Sequence, residues 1–87
     1  MQAVITVIGK DKVGILATAA TECAKVGANI VDVDQSILQN FFTMVMIVNI
    51  DGLTVEFEAF KQQMKDSLVD MEVYVMHEDI FNAMHKI

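Results

Sequence analysis

The chain has no proline, no arginine and a single cysteine, and these shortages narrow its chemistry before any motif is read. Without proline, and with no Ser/Gly linker or low-complexity tract, nothing punctuates the 87 residues into separate domains. All six basic residues are lysine, so the bidentate guanidinium fork that grips phosphate, carboxylate or guanine is missing. A formal net charge of −6 further repels a polyanion, which argues against nucleic acid. Cys23 has no partner for an internal disulfide, and its helix-like surroundings favour a buried inert thiol over a reactive one. The first apolar run stops at Lys10, too short and wrongly flanked for a signal peptide, and no run approaches a membrane span. The expectation is a soluble cytoplasmic protein.

What the chain has in plenty is apolar residues, 54% against 21% charged, enough for one closed core. Residues 2–8 (QAVITVI) are rich in β-branched side chains and stop at Gly9, which predicts a strand. From about 13 to 26, Leu16, Ala19, Cys23 and Val26 recur at helical spacing, with Gly27 where a C-cap belongs. Residues 29–38 alternate, with Val31, Val33 and Ile37 on one side and Asp32, Asp34 and Ser36 on the other. That predicts a half-buried edge strand. Gln39-Asn40 reads as a two-residue hairpin turn, because asparagine tolerates positive φ. Residues 41–50 are apolar on both sides, as a central strand would be. A helix is expected over about 54–69, with Phe57, Phe60, Met64 and Leu68 in one stripe. A fourth strand at 71–77 and a short amphipathic helix at 78–87 complete the chain.

The order β-α-β-β-α-β gives two split β-α-β units with right-handed crossovers. The predicted class is α+β: a ferredoxin-like sandwich, a four-stranded antiparallel sheet under two helices, plus the terminal helix. Strands one and three lie in the middle. If Ile5, Val7, Val31, Val33, Met44, Met46, Val48, Val73 and Val75 face the long helices, the reverse side carries Val4, Ile8, Val45, Ile47, Tyr74 and Met76. So much wet apolar surface is uncommon on a monomer. The terminal helix, a second copy of the chain, or both should cover it.

Such folds host many functions, so the loop V-I-G-K-D-K-V-G-I-L (residues 7–16) must discriminate. Gly9 and Gly14 have the gap of a phosphate loop, but Ile15 and Leu16 stand where lysine and a hydroxyl are required. The loop holds no cysteine, so a soft-metal clip is excluded, and Met44, Met46 and Met76 read as core filler. An RNA-recognition sheet would need stacking aromatics and basic residues, and only Phe41 and Phe42 are offered. His77 and His85 read as surface or terminus residues. Asp32 and Asp34 read as a solvated edge face that discourages edge-to-edge pairing. No metal, cofactor or catalytic set is expected. What remains is a small-ligand site made largely of backbone: Gly14 opens helix one, where free N–H groups attract an anion, and Asn29 offers an amide. The plainer alternative gives Gly14 to helix–strand packing and Asn29 to a turn.

The pattern G-K-D-K-x-G-I-L, a helix, then G-A-N-I opening a strand, resembles the ACT domain over about residues 2–77. With the terminal I-F-x-A-M-H-x-I stretch, the whole of 1–87 resembles the small single-ACT-domain proteins. The resemblance implies a regulatory module that binds an amino acid or similar metabolite where two copies meet. It implies a homo-oligomer, most simply a dimer, that signals to a partner enzyme or regulator. By position it implies ligand contacts at Asp11, Val13, Gly14, Ile15, Asn29 and Ile30. Two positions depart from the family pattern: Gly9 where a histidine or other polar residue is frequent, and Val13 where proline commonly precedes the glycine. Asp11 replaces a frequent asparagine; it would repel a ligand carboxylate but accept from an ammonium. The alternatives are a ligand-free assembly module and, further off, an enzyme using Asp32, Asp34 or His77.

Overall fold

The computed structural model describes residues 1–10 and 13–84. Its first strand, β1, runs Gln2–Lys10, a little past the expected end. Then come α1 (Ile15–Lys25), β2 (Asn29–Leu38), β3 (Phe41–Asn49), α2 (Phe57–Ser67), β4 (Glu72–His77) and α3 (Glu78–Met84). Asp11 and the last stretch of the expected terminal helix, His85 to Ile87, lie outside the described residues. The strands form one antiparallel sheet in the order β2-β3-β1-β4, so the two most apolar strands are central, in the predicted ferredoxin-like arrangement. Their helix-facing side is buried, and as central strands they pair along both edges.

The core lies between one sheet face and the two long helices. Ile5 and Val7 of β1, Met44, Met46 and Val48 of β3, and Val73 and Val75 of β4 meet Ile15, Ala19 and Cys23 from α1. Phe60 and Met64 enter from α2 fully buried, each worth about 2 kcal/mol in removed apolar surface. Cys23 is completely buried, and desolvation, with a smaller push from Glu22, raises its thiol to about 11. It is the inert core residue expected.

Three local expectations give way to longer-range effects. Val31 does not face the helices: a β-bulge between Ile30 and Asp32 sets it outside the ladder, and it is 53% exposed. Ile30 and Val33 therefore both pack on the core, although three apart. Strict alternation would forbid that. The β2–β3 turn places Gln39, not Asn40, in the left-handed region (φ 57). And α2 starts three residues late, because the Thr54 N–H donates to the Val26 carbonyl (2.9 Å) and its hydroxyl reaches the same oxygen (3.3 Å). That tie holds the segment before Phe57 on the end of α1.

That end of α1 closes on Gly27 (φ 79) in a Schellman arrangement. The Ala28 N–H donates to Cys23 O (3.0 Å) and the Gly27 N–H to Ala24 O (3.4 Å). A Cβ at Gly27 would lie 2.3 Å from the Gly52 carbonyl oxygen, so glycine is needed for space as well as for φ. Nearby, Gln63 of α2 donates to Glu22 Oε1 (2.9 Å), and Lys25 donates to Oε2 (2.8 Å).

On the reverse face α3 folds back against β1 and β4 of its own chain. It seals one end: Val4, in register with Ile47 and Met76, is 2% exposed. Beyond it an apolar groove of about 350 Å³ remains between Thr6, Val45, Tyr74, Met76, Phe81 and Met84.

Candidate functional site

Every strand of the sheet has a loop end and a terminus end, and the expected site residues divide between them. The loop end gathers the β1–α1 connection, the β2–β3 turn and the α2–β4 connection. Lys10 is level there with Phe41 and Leu38. The other end holds Gln2, Asn49 and Asn29, which are level with one another. The length of β1 separates the two ends, roughly 26 Å at about 3.3 Å per residue.

Val13, Gly14 and Ile15 sit at the loop end. Val13 is fully exposed, while Ile15 turns into the core. Gly14 is the N-cap of α1 at φ 85 and ψ 9, and its carbonyl accepts the Thr18 N–H (2.9 Å). A Cβ built on Gly14 would meet nothing within 4 Å. The packing explanation for this glycine therefore fails: what requires glycine is the left-handed backbone. The first-turn N–H groups of a helix have no acceptor inside it, and no side chain among the described residues caps these. The crevice beside them, against Leu68, Val69 and Met71, measures only about 40 Å³, room for a water and no more.

Asn29 and Ile30 lie at the far end. Asn29 is exposed where β2 begins, opposite Asn49. Ile30 is half-buried against the core. One chain therefore brings Val13, Gly14 and Ile15 together but not Asn29 or Ile30, and Asp11 lies outside the described residues. Both isoleucines are core residues first.

The catalytic alternative is not assembled either. Asp32 and Asp34 are paired with Ile47 and Val45 and face the reverse side, and Asp32 Oδ1 accepts the Val33 N–H (2.9 Å). His77 is level with Ala3 on the helix side, and it is not a simple surface residue. Its ring stacks on Phe57 at 4.1 Å and 17°, with Nδ1 buried and without a partner among the described residues. Nor do the described residues hold a cluster of three or more metal-ligating side chains. No described helix is long and apolar enough to cross a membrane.

Sequence reasoning missed one arrangement at the loop end. Gly9, Lys10, Phe41, Asp70, Met71 and Glu72 line an open groove of about 760 Å³. No spacing signals it, since its members come from three separate connections.

The loop geometry, the split β-α-β order and the sheet order now meet the comparisons. Residues 1–78 match the family profile of the ACT domain. The chain belongs to the ACT domain family. A UPF0237 protein of Listeria innocua is 44% identical over 89 aligned positions, covering 100% of both sequences. The solved structure of an ACT domain protein from Streptococcus pneumoniae superimposes with a TM-score of 0.80 at 33% identity, over 98% of each chain. A formyltetrahydrofolate deformylase from Pseudomonas syringae shares the fold alone, with a TM-score of 0.77 at 17% identity. There the match covers 87% of this chain but 27% of that one. ACT domains are typically regulatory modules that bind small ligands.

Proposed function

We propose that this ACT-domain protein is a small regulator that binds an amino acid or similar metabolite between two copies of the chain. The observation that carries the reading is Gly14: a helix start with no side-chain cap among the described residues, at a left-handed residue where a Cβ would meet nothing within 4 Å. The main-chain donors of Val13 to Ile15 hold the ligand carboxylate. Asn29 of the second copy and Asp11 orient the ammonium. Since β2 is an edge strand, two copies joined antiparallel along it bring the Asn29 end of one level with the loop end of the other. The separation within one chain thus becomes proximity between two. Binding then shifts stability and interface geometry, which a partner enzyme or regulator reads.

A panel of the common amino acids, tested by thermal shift and calorimetry with size measured in parallel, checks this. A true ligand at a hundredfold its Kd raises the midpoint by roughly 10 °C or more. Asn29→Ala removes that shift. An intact oligomer whose midpoint no amino acid moves sinks the proposal. The second reading, a ligand-free assembly module, draws on the apolar groove left open beside α3. Co-purification of a partner that is lost on Met84→Lys would favour it.

A further inference from the structure

The two faces of the sheet are covered unequally. Strands about 4.8 Å apart give a four-stranded sheet a width of roughly 14 Å, and helices pack about 8–10 Å apart, so each face takes two helices. On the core side α1 and α2 fill both places. On the reverse side α3 rests on β1 and β4, and no described helix rests on β3 or β2. Val45 and Ile47 of β3 are left half-buried there. Val45 also lines the groove walled by Tyr74, Met76, Phe81 and Met84, and Met84 is 65% exposed. Asp32 and Asp34, both exposed, are level with Ile47 and Val45 and border that apolar pair one strand out. Neither makes an ion pair among the described residues. Glu72 stands on the opposite edge strand, level with Ile8, so acid borders the apolar strip on both sides.

We infer that the uncovered half of the reverse face is a docking site for a basic amphipathic helix of a partner protein. That helix lies beside α3, with its apolar stripe on Val45 and Ile47 and its cations on Asp32 and Asp34. The spacing fits. Carboxylates two residues apart on a strand stand about 7 Å from each other. Lysines or arginines at i and i+4 of a helix are separated by a rise of about 6 Å, so one basic edge meets both. Met76 and Met84, unbranched thioethers, adapt to the incoming side chains. A second copy of the chain offers no such basic face. Of the described lysines, Lys25, Lys61 and Lys65 lie on the long helices, and Lys10 stands at the loop end, level with Phe41. Two of these faces brought together would set carboxylates against carboxylates from either edge, which is costly. Pairing of two copies along the β2 edge lies in the plane of the sheet and leaves this face open. The inference rests on the reading that the protein acts on a partner, and not on the metabolite site.

Fluorescence anisotropy on the full chain tests it with a labelled synthetic peptide, about 18 residues long, that carries a leucine stripe flanked by lysines at i and i+4. Two control peptides share its length: one has glutamates in place of the lysines, and the other scrambles the stripe at constant composition. The lysine peptide should bind saturably, and each control about tenfold more weakly or not at all. The double variant Asp32→Asn/Asp34→Asn should weaken the lysine peptide about tenfold. Glu58→Gln/Asp66→Asn, which removes as much charge from α2 on the other side, should not. Met84→Lys, at an exposed position, should abolish binding while the chain stays folded by circular dichroism. Equal weakening by the two double variants overturns the inference, as does unchanged binding in Met84→Lys or no saturable binding at all. Sedimentation in which Met84→Lys dissociates the protein's own oligomer overturns it too, and gives the face to a second copy. Specific peptide binding in a protein whose midpoint no amino acid moves supports this site and sinks only the metabolite reading.

Discussion

At one end α1 stops on Gly27, wedged against the Gly52 carbonyl; at the other it starts on Gly14, where a Cβ would meet nothing within 4 Å. Both glycines are left-handed, at φ 79 and φ 85. The closed end is tied three ways: by the Schellman pair, by Thr54 on the Val26 carbonyl, and by Gln63 on Glu22. Among the described residues the open end has no side-chain cap and only the Thr18–Gly14 turn bond. The same residue type in the same conformation thus meets packed backbone at one end and open space at the other. A glycine's dihedral alone does not tell which.

The largest effect that separates the ends is Gly27→Ala. It adds left-handed strain to a collision with a backbone oxygen that cannot retreat, and should cost roughly 3 kcal/mol or prevent folding. Gly14→Ala suffers the strain alone. Its unfolding free energy, measured in urea, should fall by only about 1–2 kcal/mol, and Gly14→Asn should recover most of that. Equal losses at the two glycines would break the comparison. The smallest effect is acidic. Lys25 first, and the Gln63 amide second, hold the Glu22 carboxyl below its usual range. A lowered carboxyl contributes stability that is present above its unfolded value and is lost as pH falls through its folded value. Below about pH 4 the closed end should therefore loosen, and Glu22→Gln should flatten that limb of the stability–pH curve. Hydrogen exchange resolved by residue would show protection falling around Ala24 to Ala28 before it falls near Thr18.

Most of the fold was legible because apolar periodicity is a local signal. The order of elements, the central position of β1 and β3 and the inertness of Cys23 all follow from it. What escaped was set at long range. The bulge that expels Val31 is imposed by pairing with β3. The late start of α2 comes from Thr54 bonding to the far end of α1, and the His77–Phe57 stack joins β4 to α2. The candidate site was half legible: Gly14 could be singled out, but whether it served packing or backbone needed the surrounding space. Asn29 could be named, yet nothing in a linear reading says that it lies a full strand length from Gly14.

The His77 stack has a practical consequence. Two rings 4.1 Å apart and nearly parallel put the imidazole protons in the ring current of Phe57, at the junction where β4 passes into α3. Those protons form a built-in spectroscopic reporter. Their displaced resonances would register, without any label, whether the terminal helix is seated on the sheet or has swung away from it.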